Sequence, residues 1–533
     1  MKYNNKIRRF SLLCLLPLAL LGCTDWDDHY NGEQHVVAEN TLWEEIASRP
    51  ELKDFMDLLE QYGYKEMLNS SQMFTVFAPV GAIDTVGIGS SVEKIKTEVI
   101  ENHIARFAHS ANAAINSKPE VVMLNTKVVG FAQDGDTYKF GSKKFTDEYN
   151  IRAKNGVLHV IEGQQMFFHN IWEYLTTDSR FDSIRNYLYS FNDTILDEDA
   201  SVKGEINAEG QQEYLDSVVY INNPLLYYFG ELNNEDSTYT MIVPTNEAWN
   251  EAFNRIKPYY QFPSSIQPRE KRDSLQKHYT KLAIVQDLVF SHAVQQSVED
   301  SLISTSKGVF KKPFEYILSD YSSWDQSQAC SNGGVFVVDH LNHKPWDSWH
   351  QPIKIEAERA NALDYDRASS NYLYYTRNLQ NTDTLYTKVS NGSYIEVTPK
   401  TKTSKPVITF NVWNVLAGNY DVKVVLLPQT RTSSKGANKP NLFDGKVHTI
   451  PNNGVWSETW KSNKPNTLAY ELASNPMKMD TLNIGTVKMA RCTYGTEMIG
   501  MRITLESLDQ DFEGNGCSTT YLIDCVILEP SKK

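Results

Sequence analysis

Cysteine is scarce in this chain, 6 in 533 residues, and histidine numbers 12. A dense disulfide scaffold is therefore excluded, and the cysteine spacings match no zinc pattern. Beyond the first two dozen residues no apolar run approaches the roughly 20 residues that a bilayer-spanning helix needs. Basic residues are outnumbered 52 to 66, a net charge of −14, so the surface repels nucleic acid and anionic lipid. There is no Gly-x-Ser-x-Gly elbow, no His-Glu-x-x-His helix, no phosphate loop and no dinucleotide fingerprint. Acid pairs abound as in any acidic protein, but a glycosidase needs two carboxyls about 5 to 9.5 Å apart across a cleft, which a sequence does not display. The expectation is a binding protein, not an enzyme. At 41% hydrophobic residues the composition is globular, and the length demands more than one core.

What is present begins at the amino terminus. Lys2, Lys6, Arg8 and Arg9 precede the uncharged run Phe10 to Leu21, the pattern of a secretory signal. The run ends at Leu20-Leu21-Gly22-Cys23, which resembles the bacterial lipobox and implies cleavage before Cys23 and lipid on its thiol. Residues 1–22 are then a lipoprotein signal peptide, and losing four basic and no acidic residues takes the charge from −14 to −18. One acyl chain binds marginally at about 0.8 kcal/mol per buried methylene, whereas several hold firmly. Asp25, Asp27 and Asp28 fall in an acidic tether over residues 23–34. It resembles the export tags of Bacteroidetes-type lipoproteins, and a plain solvated spacer is the other reading. The implied location is the outer membrane, lipid-anchored and exposed at the cell surface.

Two phrases recur in the same order. MFTVFAPVGAID at Met73 to Asp84 matches YTMIVPTNEAWNEAF at Tyr239 to Phe253, and KNGVLHVIEG at Lys154 to Gly163 matches SNGGVFVVDH at Ser331 to His340. One domain has been used twice. Tyr239, Met241 and Val243 read as a buried strand that Pro244 stops, with Thr245 or Asn246 capping a helix on which Trp249 and Phe253 share a face. Asparagine-glycine reads as a tight turn of positive φ leading into a central strand. Between the phrases stand His103 in VIENHIARFA and His292 in DLVFSHAVQQ, either recognition residues or satisfied structural histidines where helix passes to strand.

These residues resemble the fasciclin family, with an opening amphipathic helix carrying Leu42, Ile46, Phe55, Leu58 and Leu59. The resemblance places fasciclin-like domain 1 at 35–165 and domain 2 at 166–346, the latter lengthened by the polar stretch Asn192 to Gln212. Val80-Gly81 departs from the threonine-asparagine cap, and Glu101-Asn102 from the apolar pair before the histidine. The family implies compact α+β domains used for adhesion and for contacts with proteins or polysaccharides.

From residue 347 to 533 the texture changes to short alternating runs, Ile353 to Glu358, Ser393 to Val397, Val407 to Val412, Thr481 to Met489, Met498 to Leu505 and Tyr521 to Leu528. Leu416-Ala417-Gly418-Asn419 reads as a hairpin turn into Tyr420 to Leu427. The order of IKIEAE, NGSYIEV, LAGNYDV and YLIDCVILEP resembles carbohydrate-binding jelly-roll modules. The expected fold class is thus multidomain, two α+β fasciclin-like domains followed by an all-β jelly-roll sandwich.

A sugar site needs flat apolar faces with amides and carboxylates beside them. Trp456 and Trp460 in NNGVWSETW, with Asn453 and Glu458, and Tyr372 and Tyr374 in SSNYLYYT are the glycan-binding candidates. The alternative is that these aromatics seal the sandwich edge. Trp413 alternates with core residues and reads as packing. Asp509, Asp511 and Glu513 have the alternation of a calcium loop, or of a solvated acidic one, since Thr520 stands where an EF-hand has its glutamate. No other cofactor is expected. Cys492 and Cys517 are the expected pair if any disulfide forms, and Cys525 reads as core. Resemblance to glycan-foraging Bacteroidetes systems implies a non-catalytic accessory lipoprotein that docks on a TonB-dependent importer and its lid lipoprotein. In that picture the sandwich captures polysaccharide or oligosaccharide. A structural adhesin binding host or neighbouring-cell proteins is the alternative.

Overall fold

The computed structural model describes residues 38–85, 91–112, 120–135, 137–196, 198–199, 201–207, 209–217, 219–291, 302–306, 310–311, 327–342, 344–359, 361–432, 438–508 and 516–531. The signal peptide, Cys23, the acidic tether, His292, Asp509, Asp511 and Glu513 lie outside them. The chain forms two compact units, one ending at Phe168 and one beginning at His169.

In the first unit a helix, Leu42–Ala47, opens behind a capping box of Thr41 and Glu44, which satisfies two amides that a bare helix end leaves orphaned. The strand Phe74–Pro79 runs parallel to the closing strand Gly156–Ile161, pairing Phe74 with Gly156 through Pro79 with Ile161. Ile104–Arg106 and Ile151–Ala153 flank this pair in a sheet of four. A second four-stranded sheet, residues 120 to 144, closes over Phe77, Phe131, Phe140 and Phe145, with Phe77 and Phe140 stacked at 3.9 Å.

The second unit repeats this design before adding to it. Ile171–Tyr174 opens behind a capping box of Asn170 and Glu173, and Tyr239–Pro244 lies parallel to Gly333–Val338 in the same six-residue register, Tyr239 with Gly333 through Pro244 with Val338. Thr245 caps the helix Asn246–Ile256, and the Asn246 side chain receives the Ser183 amide at 2.8 Å. No helix directly follows Pro79 among the described residues, where Val80-Gly81 replaces that cap.

Each repeat is held by one asparagine. Asn155 accepts the Leu42 amide at 2.8 Å and donates to the carbonyls of Leu68 and Ser70, both at 2.8 Å. Asn332 accepts the Ile171 amide at 2.9 Å and donates to Leu232 at 2.8 Å and Asn234 at 3.0 Å. Both side chains are buried, at 2% and 1% exposure, and two of the three bonds that each makes are shielded from water. The following glycine serves the sheet and not the turn centre, correcting the sequence reading. The two-residue turns are Lys154-Asn155 and Ser331-Asn332. Gly156 and Gly333, at φ +150° and +139°, approach the parallel partner so closely that a Cβ would lie 1.9 Å from the Phe74 or Tyr239 carbonyl oxygen.

The sandwich follows in the second unit. One sheet orders Tyr372–Asn378, Ser393–Pro399, Tyr521–Pro530, Gly418–Leu426 and Asp480–Met489, with Ile353–Glu356 also on Tyr521–Pro530. The other orders Val407–Trp413, Ile499–Ser507, Leu442–Thr449 and Thr467–Ala473. Ile395, Phe410, Tyr420, Val447, Ile503 and Val526 are among the residues that fill the space between. The expected hairpin at Leu416 to Asn419 is instead a crossing from one sheet to the other, because Val407–Trp413 and Gly418–Leu426 belong to different sheets. Val415 and Leu416 are buried along the way.

The crossing also joins the sandwich to the second repeat. Leu416 and Cys492 enter that repeat's core, the Ala417 amide donates to Tyr259 at 2.9 Å and the Cys492 amide to Gln261 at 2.7 Å. Cys492 is a free, buried thiol there, pushed up to about 12 by burial. The expected Cys492–Cys517 bridge does not form: neither cysteine is in a disulfide, and the Ser518 amide next to Cys517 is bonded to Pro440 elsewhere in the sandwich. Cys525 is buried, as expected.

Asn332→Ala removes three hydrogen bonds inside a core, and a loss of about 2–4 kcal/mol is expected. Urea denaturation followed by fluorescence measures it; Asn332→Asp, which keeps the acceptor alone, is expected to fall between. A second expectation concerns pH. Burial pushes both His103 and His159 down to about 4 from 6.5, so the unfolded chain takes up protons that the fold refuses. Stability of the first unit is therefore full above pH 6.5 and declines toward pH 4, by about 1.4 kcal/mol per pH unit for each ring. Denaturation midpoints across that range are expected to fall, and a flat profile would contradict it.

Candidate functional site

The four-stranded sheet turns one face inward and the other outward, as strands do with successive residues. Met501, Ile503 and Leu505 go to the core, so Arg502 projects from the outer face. Its neighbours across the ladder are Asn411 on one side and His448 on the other. Directly opposed residues on paired strands lie about 4.5–5.5 Å apart, so the three make a row roughly 10 Å long.

Each member of this row holds an unsatisfied polar atom, Asn411 Oδ1, Arg502 Nε and His448 Nδ1. His448 donates Nε2–H to the Asn463 carbonyl at 3.1 Å, which leaves Nδ1 as an acceptor. Arg502 has no carboxylate within ion-pair distance among the described residues. Burial lowers its affinity for its proton, and Asp364 offsets this only at longer range. Native proteins leave few buried polar atoms unpaired. Three on adjacent strands are a concentration.

Trp456 and Trp460 stand over this row. Their rings meet edge to face at 5.8 Å, and the Arg502 guanidinium lies 4.5 Å from one and 4.4 Å from the other, an arrangement in which the ring faces attract the cation. Trp456 is fixed by its indole N–H on the Ile499 carbonyl at 2.8 Å, and Trp460 is buried against His448. The sequence placed these two tryptophans together correctly. They are a clamp on an arginine and not the open platform expected, since one face of each is occupied by the cation.

The other candidates disperse. Asn453 is exposed, and its carbonyl takes the Ser265 amide of the second repeat at 3.0 Å. Glu458 is exposed nearby. Tyr372 is buried in the core at 2% exposure, so it seals the sandwich instead of offering a face. Tyr374 packs edge-on to Tyr365 at 4.9 Å. Both tyrosines sit on the six-stranded sheet, away from the sheet that carries Arg502. His103 is fully buried, its ring bonded to Val99 O at 2.7 Å and receiving the Gln165 amide at 2.9 Å, so it is a satisfied structural residue where helix passes to strand.

At the seam between the second repeat and the sandwich lies a cleft of about 750 Å³, within the range of small-molecule sites. Asn411 belongs to its wall, as do Trp413 and Trp349. Trp413 is therefore partly a lining residue and not packing alone.

Acidic residues gather elsewhere than the sequence suggested. Glu356, Asp524 and Cys525 are buried with ligand atoms within 4.8 Å of one another. Ser390 braces them, its hydroxyl on Glu356 at 2.6 Å and its amide on Asp524 at 3.0 Å. Glu356 Oε2 and Glu358 Oε2 are buried without partners. Burial, with Glu356 adding repulsion, raises Asp524 to about 6, while burial keeps the Cys525 thiol protonated. Two carboxylates and a hydroxyl are hard oxygen donors suited to calcium, and a protonated thiol is not a ligand for a softer metal. The pattern IKIEAE held the signal, masked by its reading as simple alternation. Calcium is expected to raise the melting temperature of the full chain in a manner that Asp524→Asn abolishes, as measured by calorimetry with and without chelator.

A family model described as the Fasciclin domain matches residues 50–163, within the first unit. No curated protein matches the chain. Among solved structures, a FAS1 domain pair from the insect cell adhesion molecule Fasciclin I is similar at 13% identity, over 56% of this chain and 98% of that one, with a TM-score of 0.21. A family 35 carbohydrate binding module from Clostridium thermocellum is similar at 14% identity, over 34% and 99%, with a TM-score of 0.20. A second family 35 module, from an environmental isolate, is similar at 11% identity, over 34% and 97%, at 0.18. At these scores no likeness transfers a ligand or partner to this chain.

Proposed function

We propose that this protein is a non-catalytic surface binding protein whose sandwich captures glycan through the Asn411–Arg502–His448 row and its two tryptophans. The observation that carries the reading is the row itself, a line of unpaired donors and acceptors bordered by aromatic rings. Sugars are recognised by that combination, rings against carbon-hydrogen faces and polar groups on hydroxyls. The fasciclin domain at residues 50–163 supports an adhesive role for the amino-terminal part. Lipid on Cys23 would hold the chain at the outer membrane, where confinement raises effective concentration and lets weak sugar contacts suffice. Docking on a TonB-dependent importer and its lid lipoprotein extends the same reading. No helix among the described residues is long and apolar enough to cross a membrane.

Affinity electrophoresis of the full chain through gels containing soluble polysaccharides tests the reading. Retardation by at least one polysaccharide is expected, reduced about tenfold or more in Trp456→Ala with melting temperature preserved. Absence of retardation in every gel, with a transporter co-purifying from membranes, would replace capture with a scaffold.

A further inference from the structure

The row has a charge with no carboxylate at ion-pair distance among the described residues, Asp364 acting on it only from farther off. Lys446, on the same strand face as His448, is paired with Glu506, and Lys461, next to Trp460, with Asp364 at 3.5 Å. Arg502 has no carboxylate so placed, and it makes no hydrogen bond through its Nε. Its stabilisation comes from two indole faces, contacts worth about 0.5–2 kcal/mol and no substitute for an anion. Replacing the arginine by a neutral residue would remove the desolvation cost and keep the packing.

The flanking groups have the opposite character. Asn411 Oδ1 and His448 Nδ1 are both acceptors without donors. His448 lies buried at 5% exposure and Asn411 at 7%. A cationic donor between two acceptors asks for a molecule with an anionic group at its centre and hydroxyl donors to either side. At the Asn411 end the row meets the wall of the 750 Å³ cleft, which Trp413 also lines.

We propose that this row is the seat of an acidic saccharide, its carboxylate or sulfate on the Arg502 guanidinium and its hydroxyls donated to Asn411 and His448. The proposal rests on the glycan reading above and narrows it to a ligand class. An anionic group adds a charge-assisted, bidentate contact of the kind arginine makes best. Net negative charge on the rest of the chain slows approach without cancelling a contact at short range, because charges beyond about 8–10 Å are screened at physiological salt.

The test is calorimetric titration of the full chain with trigalacturonate, with a sulfated galactotriose and with neutral galactotriose. At least one acidic trimer is expected to bind tenfold or more tightly than the neutral one, and to weaken as salt is raised from 50 to 500 mM while the neutral one does not. The two acidic probes separate a carboxylate seat from a sulfate seat. Arg502→Gln is expected to erase the preference, and Arg502→Lys to restore part of it, with tryptophan fluorescence reporting that the clamp survives. Equal binding of acidic and neutral trimers, or an acidic preference untouched in Arg502→Gln, overturns the acidic seat and leaves glycan capture standing. Binding of none of the trimers, together with no retardation by any polysaccharide gel, overturns both. The salt dependence needs no variant, so it decides the matter even if Arg502→Gln fails to fold.

Discussion

One buried asparagine in each repeat ties together three parts of the chain that are far apart in sequence. Asn155 reaches the first amide of the opening helix and two carbonyls ahead of the parallel strand, and Asn332 does the same. Its own carbonyl takes the first amide of that strand, Phe74 or Tyr239, at 3.0 Å in both cases. A shorter or apolar side chain would leave these groups buried and unpaired, which costs more than the bonds contribute when made. The adjacent glycine can only be glycine, because the parallel strand's carbonyl occupies the place of a Cβ. The asparagine-glycine phrase is conserved between the repeats by geometry, not by chemistry.

From that constraint the rest of the second unit follows. The closed repeat presents Tyr259, Tyr260, Trp349 and Tyr279 toward the sandwich, where they meet His350, Tyr420 and Tyr494. His350 Nε2 lies 2.8 Å from the Tyr420 hydroxyl, which itself donates to Leu416 at 3.1 Å. Burial holds that imidazole down to about 4, so it stays neutral above that pH. Leu416 belongs to the crossing that delivers the chain from one sheet to the other. That crossing starts at the end of Val407–Trp413, the strand that sets Asn411 opposite Arg502.

Much of this was legible in the residues. The repeats announced themselves because a buried parallel strand and its closing partner are written in contiguous apolar phrases. Seven sandwich strands followed from alternation. Tyr372–Asn378, Leu442–Thr449 and Thr467–Ala473 did not: the first and last are edge strands with much exposed surface, and Gly445 interrupts the middle one. The false hairpin at Leu416 to Asn419 arose because alternation reports that a residue is in a strand and not which sheet the strand joins. Trp456 and Trp460 were found as a pair, but Arg502 was invisible beside them, since it lies more than forty residues on and resembles any outward-facing strand cation. Likewise Asp524 reads as polar alternation within a final strand until Glu356 is placed beside it.

Hydrogen–deuterium exchange of the full chain, with and without a saturating polysaccharide that retards it, tests most directly whether the outer sheet face is where ligand is held. Amides around Asn411, His448, Trp456 to Trp460 and Arg502 are expected to slow, with Ser393–Pro399 and the first unit unchanged. Protection confined to the first unit or to the six-stranded sheet would contradict the account.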